Sequence, residues 1–309
     1  MSNLRPWVQA ARLRTLPLAL SSIILGTLLA THFGRFDALT LVLCILTATS
    51  YQVLSNYAND LGDGLRGTDA KRTGEARAIA SGSITIGAMK NAVVVFFILS
   101  LALGTWLSIH ATQGLPSWVT WTFVILGLIA CLSAIGYTMG RTAYGYRGLG
   151  DVFVLLFFGW TGVMGTFFLQ AQYLEPLVWL PATAIGLVAV GVLNLNNMRD
   201  IENDRQSKKI TLAVRMGIKG ARIYHTTLLM TALVLSLIFI YESRTYWALI
   251  FLLVLPVWIR NLKKVWKEKD HSLYDPLLKP LAISAFLYAI LFGVGVNLGT
   301  LIMLIQSNT

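Results

Sequence analysis

Long apolar runs separated by short polar stretches govern this chain, and nine of them approach the roughly 17 to 25 residues that a helix needs to cross the hydrocarbon core of a bilayer. They lie at 16–32, 40–58, 88–109, 118–139, 152–171, 177–196, 225–241, 245–260 and 281–304. The seventh and eighth are short and are joined by a very brief connection, Tyr241 to Tyr246. No stretch between the runs is long enough for a separate soluble domain. The pattern therefore predicts one all-α, polytopic integral membrane unit over residues 1–309.

Composition agrees: 56% of the residues are hydrophobic and 13% charged, outside the usage of soluble globular domains. A net charge of +11 raises nucleic-acid binding, and the arrangement of the basic residues decides against it. With the N-terminus placed inside, 23 of the 25 Lys and Arg residues fall in inner segments, and only Arg35 and Arg244 fall outside. That is the positive-inside asymmetry of a multi-pass protein with a cytoplasmic N-terminus and an external C-terminus. Met1 to Arg14 reads as the cytoplasmic lead into the first helix. Cys44 and Cys131 lie in apolar runs, far from any metal-ligand spacing, and read as packing residues.

Acidic residues follow no such topological rule, yet five of the nine aspartates sit in two inner loops: Asp60, Asp63 and Asp69, then Asp200 and Asp204. Carboxylates crowded at a membrane helix end repel one another, so they persist where a cation or a water-filled cavity offsets the cost. In Ser55 to Asp63, four-residue spacing puts Asn59 and Asp63 on one helical face and Asn56 and Asp60 on another. Gly62, Gly64 and Gly67 then loosen the backbone, so that Asp69 is expected from a flexible turn. The sixth run ends in a second such stripe, Asn196, Asp200 and Asp204. Oxygen ligands from two helix ends suit magnesium, which takes one or two carboxylates plus substrate phosphates. Histidine and cysteine are missing from both loops, which disfavours zinc.

A basic segment follows each acidic one: Lys71, Arg72 and Arg77, then Arg205, Lys208, Lys209 and Arg215. A solvated loop of mixed charge explains either loop alone. Carboxylates beside cations, repeated in two distant loops, describe instead a site for a diphosphate and its bridging metal.

These residues resemble the UbiA superfamily of intramembrane aromatic prenyltransferases, which carry an Asn-x3-Asp-rich motif and an Asp-x3-Asp motif after the second and sixth of nine helices. The resemblance covers essentially the whole chain. It departs at Asp69, six positions after Asp63 where many members place the acidic residue four after. Ala11 to Pro17, Ser55 to Asp63, Tyr144 to Asp151 and Asn196 to Asp204 look like the branch that acts on 1,4-dihydroxy-2-naphthoate.

The resemblance implies nine helices around a central cavity in a bacterial inner membrane, with the active site facing the cytoplasm. It implies transfer of an all-trans polyprenyl group from its diphosphate to 1,4-dihydroxy-2-naphthoate, with loss of carbon dioxide, towards menaquinone. Magnesium would be held by Asn59, Asp63, Asp200 and Asp204, with Asp60, Asp69 and Asn196 as further ligand or outer-shell candidates. Asp63, Asp200 and Asp204 are the implied catalytic carboxylates. Arg72, Arg77, Lys208 and Lys209 are candidates for the phosphate oxygens. Arg14 either joins them or serves topology alone. Tyr137, Tyr144 and Tyr146 either offer ring faces to an allylic cation or anchor the chain at the interface. Asp151 either orients the acceptor or caps its helix, and capping is the reading the sequence favours. Gly159, Gly162 and Gly165 either permit close helix packing or line the cavity for the isoprenoid tail, and packing is the reading the sequence favours. No obligate protein partner is indicated.

Three other readings share some of these features. A 4-hydroxybenzoate prenyltransferase would keep the same metal site. A secondary transporter would place its binding groups near the bilayer midplane, whereas these carboxylates lie at one face. An alcohol phosphatidyltransferase concentrates its aspartates in one tandem motif, and here they are split between two loops.

Overall fold

The computed structural model of the chain describes residues 4–68, 77–140 and 143–307. Asp69, Lys71, Arg72 and Arg141 lie outside the described residues. Among the described residues all regular structure is helical. A short helix α1 (Leu4–Ala11) precedes the bundle, and the chain turns at Arg12, held at φ 49°. The spans follow as α2 (Leu16–His32), α3 (Ala38–Arg66), α4 (Ile86–Ala111), α5 (Ser117–Gly136), α6 (Gly150–Ala171) and α7 (Pro176–Arg199). Next come the short α8 (Ile201–Gln206), then α9 (Leu212–Ser243), α10 (Leu255–Lys267) and α11 (Asp275–Ser307).

Eight of these helices among the described residues are long and apolar enough to cross a membrane. The ninth predicted run, 245–260, is built differently: a 3₁₀ segment, Tyr246–Val254, leads straight into α10. Helix starts are marked by side-chain caps. Asp37 accepts from the backbone N–H of Thr40 at 2.6 Å, and Thr85 accepts from that of Ala88 at 3.2 Å.

Burial ranks the helices from centre to rim. Just over half (56%) of the apolar windows of Leu4–His32, Pro176–Arg199 and Asp275–Gly299 is buried, against 11% for Ser117–Gly136. The exposed side chains of α5 are mostly apolar, among them Trp118, Trp121, Ile125 and Leu132, as suits a lipid-facing surface. Cys44 and Cys131 are buried free thiols.

Three expectations need correction. Gly62 and Gly64 do not loosen the first motif: α3 runs through both and stops only at Gly67, where φ reaches 70°. A Cβ on Gly62 would lie 2.3 Å from Thr138 Oγ1 and 2.7 Å from its Cβ, so the glycine exists for close approach. Helix α9 begins at Leu212 rather than 225, with its axis broken at Gly217. The fifth span is not a plain α-helix, because Leu155–Gly165 forms wide π turns. Ser22 on α2 donates its hydroxyl to Phe158 O there, and a Cβ on Gly159 would lie 2.8 Å from Ala182 O. The packing role expected of Gly159 is met; at Gly165 a Cβ would reach nothing nearer than Phe123 Cε1 at 3.9 Å.

Candidate functional site

Helix α3 presents two polar stripes at the motif end of the bundle, and they have different partners. The Asn56 and Asp60 stripe is consumed by the scaffold. Asn56 Nδ2 donates to Ala11 O at 2.8 Å, while the carboxylate of Asp60 accepts the backbone N–H groups of Ala78 at 3.0 Å and Ile79 at 3.1 Å. With both oxygens bonded to the backbone of the following loop, Asp60, a ligand or outer-shell candidate by its place in the motif, anchors that loop instead.

The Asn59 and Asp63 stripe faces other helix ends. Thr138 Oγ1 lies 3.4 Å from Asn59 Oδ1 and 3.1 Å from Ala58 O. Asp63, almost fully buried, accepts the Tyr146 hydroxyl at 2.8 Å and lies 4.0 Å from an Arg77 nitrogen. Thr68 donates in turn to Tyr146 Oη at 2.6 Å.

The second motif is not one continuous stripe. Helix α7 ends at Arg199, and Asp200 (φ −93°, ψ 9°) joins it to α8. Arg199, with a side chain only 2% exposed, holds Asp200 in a two-pronged ion pair, Nε to Oδ1 at 2.8 Å and Nη2 to Oδ2 at 2.7 Å. The same guanidinium donates to Asn196 Oδ1 at 2.8 Å and to Asp275. Arg14 lies 3.9 Å from the other oxygen of Asp275. The sequence reading missed Arg199 and Asp275. Arg199 stood in plain sight between two ligand candidates, but nothing local marks Asp275, at the start of the last span.

Asp204 closes the other half. Lys209 Nζ lies 3.8 Å from its carboxylate and 5.5 Å from the centre of the Tyr146 ring. Burial disfavours the Lys209 ammonium, but the charges of Asp63 and Asp204 outweigh it and hold the group above its ordinary range. Burial and the charge of Asp63 push the Tyr146 phenol up likewise. Two further hydrogen bonds fasten the segments together: the side chain of Asn203 donates through Nδ2 to Thr68 O at 3.1 Å, and the Ile210 N–H donates to Tyr146 O at 3.0 Å.

The aromatic candidates divide. Arg66 sits 4.6 Å from the centre of the Tyr146 ring, so that ring already carries two protein cations. Tyr144 stacks on Phe153 at 3.9 Å and donates its hydroxyl to Ser133 O at 2.9 Å. Tyr137 is placed centrally, within electrostatic reach of Lys209, Asp63, Asp204 and Asp151, and burial pushes its phenol up to about 12. Lys208 follows, held at φ 55°. With Arg66, Arg147, Ser207 and Tyr146 it lines an adjoining cavity of about 440 Å³.

Asp63, Asp204, Lys209, Arg77, Tyr137 and Tyr146 thus form one charged group, and Asn196, Asp200 and Arg14 a second, joined through Arg199 and Asp275. The donors are all hard oxygens, which fits magnesium in kind. Among the described residues no three His, Cys, Asp or Glu side chains cluster closely enough to hold an ion by themselves. Both groups instead pair carboxylates with cations, an arrangement that suits an ion completed by phosphate oxygens.

Comparison with known proteins places this geometry in a family. Residues 19–290 match the UbiA prenyltransferase family. A 1,4-dihydroxy-2-naphthoate octaprenyltransferase of Escherichia coli is 43% identical over 96% of this chain and 97% of its own length. One of Haemophilus influenzae is 39% identical over the same shares, and one of Mycobacterium tuberculosis 32% identical over 94% and 96%. Among solved structures, a UbiA homologue from Aeropyrum pernix superimposes with a TM-score of 0.66 over 94% of this chain and 99% of its own, at 16% identity. An Archaeoglobus fulgidus UbiA homologue bound to GPP and magnesium gives 0.59 over 93% and 99%, at 18% identity. The chain belongs to the UbiA prenyltransferase family.

Proposed function

We propose that this protein transfers a polyprenyl group from an all-trans polyprenyl diphosphate to 1,4-dihydroxy-2-naphthoate, releasing diphosphate and carbon dioxide and forming a demethylmenaquinol. The carrying observation is the similarity, over nearly the full length, to relatives named for that acceptor. Residues 1–309 act as one unit in a bacterial inner membrane, N-terminus and active site on the cytoplasmic side and C-terminus outside. The one-sided distribution of Lys and Arg supports that orientation.

Breaking the allylic carbon–oxygen bond leaves charge on diphosphate, and the residues of both motifs are suited to receive it. Asn59, Asp63, Asp200 and Asp204 would hold the magnesium, with Asn196 and Asp69 as further candidates for ligands. Asp60, whose oxygens bond Ala78 and Ile79, positions the loop that carries Arg77. When bound, the ion neutralises the leaving diphosphate as a Lewis acid. Lys209 and Arg77, already beside Asp204 and Asp63, donate charge-assisted hydrogen bonds to phosphate oxygens, and Arg14, Arg72 and Lys208 are further candidates for the same contacts. Tyr137 turns its ring to the allylic cation, and the apolar helices around it exclude water.

The test is product formation. Purified protein with magnesium and a labelled polyprenyl diphosphate is given 1,4-dihydroxy-2-naphthoate or, in parallel, 4-hydroxybenzoate. Prenylated naphthoate with carbon dioxide release, lost on chelation and in Asp63→Asn, is expected. Product with the benzoate alone overturns the acceptor, and transfer that resists a chelator overturns the metal role.

A further inference from the structure

Asp151 has no part in the account above, and its surroundings are unusual. It opens α6 and is only 5% exposed. Capping does not explain it. The cap position of that helix belongs to Leu149; the carboxylate of Asp151 reaches its own backbone N–H, and its Oδ1 is buried without a hydrogen-bond partner. A buried carboxylate oxygen left unbonded is costly, so such groups recur where a ligand completes them.

The groups that face Asp151 come from two other helices. From α9, the hydroxyl of Tyr224 interacts with the carboxylate. Beyond the end of α5, Tyr137 lies with its hydroxyl oxygen 3.3 Å from where a Cβ on Gly150 would stand. Tyr137 is also the residue within reach of Asp63, Asp204 and Lys209. Asp151 therefore lies one tyrosine away from the carboxylates assigned to the diphosphate end, with an oxygen ready to accept a proton.

We propose that Asp151 is the base that takes the hydroxyl proton of the aromatic acceptor, with Tyr224 as the positioning residue that orients its carboxylate. The proposal rests on the prenyl-transfer reading above. The acceptor hydroxyl next to the carbon bearing the carboxylate gives its proton to Asp151, and its electron pair forms a ring carbonyl. The displaced ring pair forms the new bond to the allylic carbon, whose bond to oxygen breaks with its electrons leaving on diphosphate. When carbon dioxide departs, its bonding pair restores the aromatic ring, and the carbonyl oxygen recovers the proton from Asp151. Asp151 ends as it began, and no other reactant is needed.

Asp151→Asn keeps the size of the side chain and removes the base. Turnover of the purified full-length protein on 1,4-dihydroxy-2-naphthoate is followed without oxygen from about pH 6 to pH 9. At pH 7 Asp151→Asn is expected to slow the reaction about 100-fold or more, with the KM for polyprenyl diphosphate within about twofold of wild type. The deficit should shrink as pH rises, because the acceptor hydroxyl then ionises in solution and needs no base. A deficit of the same size at every pH, or turnover near wild type, overturns the proposal. If Asp151→Asn is not recovered folded, Tyr224→Phe serves the same comparison: a deficit that shrinks with rising pH supports the proposal, and a constant deficit or none overturns it. Wild-type protein that prenylates 4-hydroxybenzoate and not the naphthoate overturns the acceptor assignment instead; Asp151→Asn is then compared with wild type on the benzoate, where unchanged turnover overturns the base.

Discussion

The Tyr146 hydroxyl donates to Asp63 Oδ1 at 2.8 Å and ties the first motif to the loop that leads into α6. The same ring carries Arg66 and Lys209, so one tyrosine connects the ends of α3, α5 and α8. Tyr146→Phe keeps the ring and its cations and removes one hydrogen bond to a buried carboxylate. Such bonds contribute roughly 1.5 to 3 kcal/mol. Thermal unfolding in detergent is expected to register a loss of about 1.5 kcal/mol, and turnover to fall about tenfold as Asp63 loses its fixed orientation. Wild-type turnover in this variant would mean that Asp63 is oriented without Tyr146.

Arg199 is the hub of the second motif, and its deletion should exceed that of either partner. Arg199→Met takes the two-pronged partner from Asp200, whose side chain is 9% exposed, and leaves Asp275 its longer contact with Arg14. Removing one partner of a buried ion pair costs about 3 to 5 kcal/mol. Asp275→Asn, at a side chain 37% exposed, is expected to cost about 1 kcal/mol, because solvent screens that end of the network. Arg199→Lys should fall between, since an ammonium restores charge without the planar fork. Melting temperatures of the three variants decide the order, and an Asp275→Asn loss as large as that of Arg199→Met would contradict it.

The spans were legible because the bilayer demands uninterrupted apolar runs, and both motifs were legible because carboxylates there have no topological excuse. What a local pattern does not carry is the partner. Asn59 with Asp63 and Asn56 with Asp60 have the same spacing, yet the second pair turns to Ala11, Ala78 and Ile79, and only tertiary structure separates them. Glycines misled for the same reason. Gly62 reads as a helix breaker until Thr138 is seen against it. The 3₁₀ stretch Tyr246–Val254 and the π turns of Leu155–Gly165 are equally apolar in sequence, so composition placed them in the membrane without giving their winding.

Gly62→Ala tests that reading of the first motif. The new methyl meets Thr138, whose hydroxyl lies beside Ala58 O and Asn59 Oδ1. Because the contact falls on the Cβ and backbone of Thr138 as well as its hydroxyl, rotation of the side chain cannot relieve it. Overpacking of this kind costs about 1 to 3 kcal/mol. An outward shift of Asn59 should also lower turnover, whereas Gly87→Ala, where a Cβ meets nothing within 4 Å, should leave both unchanged. A Gly62→Ala protein as stable and active as wild type would show that α3 and Thr138 can separate freely.

At the opposite end of the bundle, Asp37 gives a test in pH. Its carboxylate lies 2.9 Å from His110 Nε2 and accepts the Thr40 N–H at 2.6 Å. These hydrogen bonds, that of His110 foremost, lower its pKa from an ordinary 3.8 to about 2. A pKa lower in the folded state means that folding favours the ionised form. The resulting stabilisation is complete above the unfolded value near 3.8 and is lost as pH falls through about 2. Asp37→Asn retains a side chain able to cap α3 but has nothing to titrate. The melting temperature of wild type should therefore exceed that of Asp37→Asn by a constant margin from pH 7 to about pH 4, and the margin should shrink between about pH 4 and pH 2. Because this carboxylate is half exposed, solvent screening keeps the margin small. A difference that stays constant down to pH 2 would mean that the His110 contact does not hold the Asp37 proton off in the folded protein.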